Sequence, residues 1–221
     1  NQDPFLITLK LTNKGEYTIP KGGVIATLSG ISADAFGMSS LSTKLDYELE
    51  GKLKTDTEVL EGLSERLSFE QARYKYDLDV DFPTSIYVDV CYKYQTRGFS
   101  RLCLKKIASE RGTEDICDIN NQNVKVDSSG APIQIKNVKQ MASGSNEIKV
   151  IFSIENKGDG EVYPPDQFSK VCKRDLSNKG KLKVEVSTES GIPISCGRLS
   201  HGDRGLVKLS GKETTIVCNI N

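Results

Sequence analysis

The chain has 221 residues, with 30 basic and 30 acidic side chains, six cysteines, one histidine and no tryptophan. Balanced charge at 27% of residues describes a well-solvated surface and excludes the basic excess of a general nucleic-acid or anionic-membrane binder. A lone His removes most His-based catalysis and metal binding, and no run reaches the roughly 20 apolar residues of a membrane span.

The first predicted strand is Phe5–Leu11, where Phe5, Ile7, Leu9 and Leu11 alternate with polar neighbours and run into Asn13-Lys14-Gly15. Period-two alternation marks a half-buried strand, and the Asn-x-Gly end marks a turn. A second strand follows over Gly22–Ile31. Residues 32–44 are small and polar, a loop or a short irregular strand, and Leu45–Leu49 alternates again as a candidate strand. Between Thr55 and Ala72 helical and strand spacings compete, and the β surroundings favour strand. Tyr74, Tyr76, Leu78, Val80 and Phe82 then predict a long amphipathic strand ended by Pro83. Ile86, Val88 and Val90 open a hairpin that reaches Cys91, turns near Arg97-Gly98 and returns through Phe99–Leu104.

Polar, turn-forming residues dominate 107–123 and predict a linker. Beyond it strands are expected near 124–126, 133–139 and 147–155, then at Lys181–Ser187, Gly191–Cys196, Gly205–Leu209 and Thr214–Ile220. Ile148, Val150, Phe152 and Ile154 run into Asn156-Lys157-Gly158, repeating the opening pattern 143 residues later at the same offsets. The chain therefore reads as all-β, with two tandem immunoglobulin-like β-sandwich domains. The expected bounds are 1–108, a linker at 109–123, and 124–221.

An even cysteine count without a CxxC pair argues for disulfides over zinc, and disulfides imply an oxidising location outside the cell or in an export compartment. The sequence starts at Asn1 without a hydrophobic leader, as a processed export signal or a trimmed expression product would leave it. Cys91 and Cys103 lie near opposite positions of the predicted hairpin and are expected to bond. Of the remaining four, the favoured pairs are Cys196–Cys218 on neighbouring strands and Cys117–Cys172, pinning the linker. Each of these last two bonds, closing loops of about 20 to 55 residues, should contribute roughly 3–4 kcal/mol.

The stretch Cys91-Tyr92-Lys93-Tyr94-Gln95-Thr96 with Cys103, the strand–Asn-Lys-Gly openings and the Gly22–Ile31 strand resemble S-layer-associated and CARDB-like immunoglobulin-fold modules of archaeal cell-surface proteins. The resemblance covers most of domain one and the 147–155 and 181–187 strands of domain two. Val217-Cys218-Asn219-Ile220 stands where a second Cys-Tyr-x-Tyr hairpin would be. The resemblance implies an extracellular sandwich used for building or adhering, without catalysis.

Candidate sites are few. Asp77, Asp79 and Asp81 share one face of the predicted strand, too flat to wrap a calcium ion, and read as solvated edge charge. Glu114, Asp115, Asp118, Asn120 and Asn121 surround Cys117. They read as a polar linker, and Asp115, Asp118 and Asn120 are the one candidate calcium cluster. His201 sits in Ser200-His201-Gly202-Asp203, where adjacency makes no triad, and the loop reads as a recognition turn at a sandwich end. Tyr74, Tyr76, Tyr87, Tyr92 and Tyr94 fall on adjacent predicted strands. Core packing is favoured for them, with Tyr92 and Tyr94 the candidates for a binding surface. No phosphate loop and no recognisable carboxylate pair points to an enzyme. The expected role is an extracellular structural or adhesive module that associates with itself or with other surface proteins, its opening strand available to complete a neighbour's sheet. The competing expectation is a monomeric module that binds a sugar or protein partner.

Overall fold

The computed structural model describes residues 3–55, 57–80, 83–105, 117, 119, 122–144, 146–172 and 176–220. It is all-β and divides into two compact units, Asn1–Gln95 and Thr96–Asn221. The division falls at 95/96, ahead of the expected linker at 109–123, most of which lies outside the described residues.

In unit one the described strands are β1 (Thr8–Thr12), β2 (Val24–Ser29), β3 (Ser42–Lys44), β4 (Leu53–Lys54), β5 (Val59–Leu60), β6 (Ser64–Ser68) and β7 (Tyr87–Tyr92). β1 pairs antiparallel with β6, and β2 lies between β3 and β7 in a second sheet. Val24, Ile25, Ala26 and Leu28 of β2 are all buried, the near-continuous apolar run of a strand covered on both faces. Leu67, Phe69, Leu45, Leu49 and Met38 close the core over it, with Leu9 and Leu11 packed at its margin.

Two predicted strands are absent here. Leu45–Leu49 forms no strand beyond a bridge between Leu49 and Ile19; Leu45 and Leu49 are buried while Tyr47 points to solvent and donates to the Arg66 carbonyl. The Tyr74–Phe82 alternation forms no strand over its described part, and Tyr76, Leu78 and Val80 are exposed. Its amides explain the departure. The Arg73 and Lys75 N–H groups donate to the Phe36 and Ala35 carbonyls, which turns the chain off the sheet after Ala72. The 55–72 segment contributes β5 and β6, strand as expected.

Unit two contains β8 (Gly98–Ser100), β9 (Gln122–Asn123), β10 (Val126–Ser128), β11 (Ile133–Ala142), β12 (Ile148–Asn156), β13 (Lys181–Glu185), β14 (Ile194–Cys196), β15 (Arg204–Lys208) and β16 (Glu213–Ile220). Among the described residues helix is confined to α1 (Phe168–Val171) and two flanking 3-10 turns, Pro165–Gln167 and Leu176–Asn178. A five-stranded sheet has the order β14-β16-β12-β11-β9, and β13 pairs with β15 in a separate sheet. Val150, Phe152, Ile154, Ile216 and Cys218 from the large sheet share one core with Leu182, Val184 and Val207 from the small one. Sheet thus faces sheet across a common apolar layer, as in a β-sandwich. β11 carries a bulge between Lys136 and Lys139, with Asn137 at φ 54°, a conformation Asn tolerates.

The expected Cys91–Cys103 hairpin does not form. β8 pairs with β10 rather than returning along β7, and Cys103 is bonded to Cys117. That bond also overturns the expected Cys117–Cys172 pair. Gln140 explains where Cys103 goes: its amide oxygen accepts from the Cys103 N–H at 2.9 Å and its amide nitrogen donates to the Cys103 carbonyl at 2.7 Å, fixing the segment in unit two. Cys196–Cys218 forms as expected, between directly opposed residues of β14 and β16. Cys91 and Cys172 are also disulfide-bonded, and no free cysteine occurs.

Candidate functional site

The internal repeat is structural as well as sequential. Asn13 directly follows β1, and its Oδ1 accepts from the Gly15 N–H at 3.1 Å while Nδ2 donates to the Tyr17 carbonyl. Asn156 ends β12, and its Oδ1 accepts from the Gly158 N–H at 3.0 Å while Nδ2 donates to the Gly160 carbonyl. Both are buried. Each also donates its own N–H to the residue just before the partner strand, Leu63 ahead of β6 and Lys212 ahead of β16. So β1 and β6 of unit one correspond to β12 and β16 of unit two.

One neighbour is missing from the correspondence. β12 is flanked by both β16 and β11, whereas β1 pairs with β6 alone among the described residues. The apolar positions register the difference. Ile148, Val150, Phe152 and Ile154 are buried, but Ile7, Leu9 and Leu11 are half-buried and Phe5 is 40% exposed. In the facing sheet Val88 packs on the core, and Val90 and Tyr92 follow it at steps of two on the same side. They are nevertheless 42% and 45% exposed. Unit one therefore has a thin, partly uncovered layer along one side.

A second apolar surface is the arm formed by β4 and β5. Leu53 lies opposite Leu60, and Leu53, Val59, Leu60 and Leu63 are all exposed. The Asn13 turn anchors the base of the arm: Asn13 Nδ2 donates to the Leu49 carbonyl, and the Lys52 N–H donates to the Gly15 carbonyl. A Cβ on Gly62 would overlap the Asn13 carbonyl oxygen, so only glycine admits this close approach. Lys52 pairs with Glu61 across the arm, and Lys54 pairs with Glu16.

The five tyrosines do not fill the core. Tyr76, Tyr87 and Tyr92 are exposed, and Tyr74 and Tyr94 are half-buried. Two groupings result: Tyr17, Tyr94 and Tyr92 in sequence of ring contact at 5.6 and 6.2 Å, and Phe5, Phe36, Tyr74 and Tyr76 in another. Burial pushes the Tyr92 and Tyr94 phenols up from their ordinary value. Sequence reasoning missed Tyr17, 75 positions before Tyr92, because only the fold brings them together.

His201 occupies an exposed turn. Its Nδ1 lies 3.0 Å from the Ser200 hydroxyl, while Asp203 lies beside Arg204, so the three residues make no relay. Asp77 and Asp79 are exposed as expected, though not on a strand; Asp81, Asp115, Asp118 and Asn120 lie outside the described residues. Among the described residues no group of three or more His, Cys, Asp or Glu side chains is placed to hold a metal, and no helix is long and apolar enough to cross a membrane. An open cleft of about 340 Å³ beside the Cys103–Cys117 bond is lined by residues that include Arg101, Lys125 and Gln140. Gln140 spends both amide atoms on Cys103, so it offers an incoming ligand little.

No protein-family model, curated protein or solved structure matches the chain.

Proposed function

We propose that the chain is a non-catalytic, extracellular structural or adhesive module of two immunoglobulin-like sandwiches, a building unit of a cell-surface layer, filament or appendage. The observation that carries this reading is the apolar surface of unit one: the Leu53/Val59/Leu60/Leu63 arm and the uncovered Val90 and Tyr92. Exposed apolar surface of this kind, on an otherwise charged and well-solvated protein, marks an interaction face. Oxidation of all six cysteines supports a location outside the reducing cytosol. The resemblance to archaeal surface modules points the same way. Its function is mechanical and interfacial, with association reached by burying these faces.

Electron microscopy of the oxidised protein at several concentrations, with light scattering on the same samples, tests this. Ordered oligomers or filaments that grow with concentration are expected; a dispersed monomer throughout overturns the reading.

The Tyr17–Tyr94–Tyr92 grouping favours a second reading, a monomeric module that recognises a carbohydrate or protein partner through stacked rings. A monomer that binds a glycan array in a Tyr92-dependent way would select it.

A further inference from the structure

We propose that unit one carries a vacant strand position beside β1, and that the Tyr76–Val80 segment of a second copy fills it. The inference deepens the proposed function and rests on self-association.

The vacancy follows from the repeat. β12 has β11 on the side that β1 leaves open among the described residues, and the apolar residues of β1 are less covered than their counterparts in β12. The main-chain groups along that side are ready to pair. The Ile7 carbonyl and the Asn13 N–H face β6, so by the two-residue period Leu9 and Leu11 face it too. Thr8, Lys10 and Thr12 therefore direct their N–H and C=O groups to the open edge.

The same chain contains a strand-patterned segment that joins no sheet among the described residues. Tyr76, Leu78 and Val80 alternate with Asp77 and Asp79, the pattern of an amphipathic strand, yet this segment belongs to no sheet and its apolar side chains are 53%, 49% and 74% exposed. Charge selects this occupant. On the outer face of the β1–β6 sheet Lys10 stands directly opposite Arg66, and such like-charge pairs are unfavourable. A strand laid antiparallel along β1 with Tyr76, Leu78 and Val80 turned inward beside Leu9 and Leu11 presents Asp77 and Asp79 on the outer face, next to Lys10. One addition covers the thin core and neutralises the cationic pair.

The segment cannot do this in its own copy. Ala72 is bridged to Phe5. An antiparallel run would have to begin near Leu11, six residues or about 20 Å along the strand. The four Cα steps from Ala72 to Tyr76 reach at most about 14 Å. The contact is therefore between copies and head-to-tail, and it builds an open filament or a ring.

Two variants separate the halves of the contact. Lys10→Pro removes an N–H that β6 does not use, so it blocks the edge while leaving the β1–β6 ladder intact. Leu78→Lys with Val80→Lys spoils the inserted face at positions already exposed. Each variant alone is expected to lose the higher oligomers of the wild type, with melting temperature and circular dichroism unchanged. An equimolar mixture is expected to form dimers and nothing larger, since one partner offers only an edge and the other only a strand. Hydrogen exchange at Thr8, Lys10 and Thr12 should slow on wild-type assembly, a reading that stands even if Lys10→Pro unfolds unit one. Wild-type oligomers that persist in both variants, with fast exchange at those amides, overturn this contact and leave the structural reading standing. A wild type that stays monomeric at every concentration overturns both and leaves the edge to a strand from outside this sequence.

Discussion

The side chain of Gln140 pairs with the main chain of Cys103 as a neighbouring strand would, one amide group taking both the N–H and the C=O. Gln140 is 1% exposed, so no water replaces these bonds when they are lost. Gln140→Leu should destabilise unit two by roughly 2–4 kcal/mol, because it leaves two buried main-chain groups unpaired. Gln140→Glu keeps the acceptor but loses the donor and buries a charge, and should be no milder. Urea denaturation followed by circular dichroism measures both. A cost below about 0.5 kcal/mol for the Leu variant, the range of surface substitutions, would mean that Cys103 is held by its disulfide alone.

Asn13 and Asn156 hold equivalent turns, yet the first does more. Asn13 Nδ2 donates to two carbonyls, Tyr17 and Leu49, the second at the base of the β4–β5 arm; Asn156 Nδ2 donates to Gly160. Asn13→Ala should therefore cost about 2–3 kcal/mol and Asn156→Ala about 1–2 kcal/mol. Only the first should speed hydrogen exchange at Leu53 and Leu60. Equal costs with a quiet arm would show that the arm is anchored by the Lys52–Gly15 main-chain bond instead.

The Cys196–Cys218 bond joins opposed residues of β14 and β16 across a sequence separation of 22 residues, and both cysteines are fully buried. Replacing the pair by alanines removes the crosslink and some packing, and should lower the stability of unit two by about 3–4 kcal/mol. Hydrogen exchange along β16 reports it, while β2 of unit one should be unchanged. Loss of protection in both units would mean that they unfold together.

Unit two was largely legible in the sequence. Its strands are bounded by Gly, Pro and Asn turns and alternate cleanly, so β11 to β16 fall close to their expected spans. Where reading failed, tertiary partners decided. Cys91 and Cys103 lie symmetrically about a turn, and nothing local reveals that β8 prefers β10 or that a glutamine 37 residues onward captures Cys103. The Tyr74–Val80 alternation is the clearest in unit one and forms no strand, because two main-chain bonds to the Phe36 loop turn it aside. The candidate surface was half legible. The repeat announced two related strands, but the position missing beside β1 emerges only when their neighbours are compared.

Acid should expose one further contact. Glu70 accepts from the Ser39 N–H at 2.7 Å and from the Ser39 hydroxyl, and these bonds hold its carboxyl below the ordinary value of 4.5. A carboxyl depressed in the folded state stabilises the fold above its unfolded pKa, and that contribution is lost as pH falls through the folded value. Glu70→Gln lacks the titration. The wild type should therefore be the more stable of the two at neutral pH, and the gap should narrow progressively once pH drops below 4.5. Thermal melts of both proteins across that range measure it. A gap independent of pH would assign the Ser39 contact to shape rather than charge, since the protonated carboxyl would then serve the loop as well as the carboxylate does.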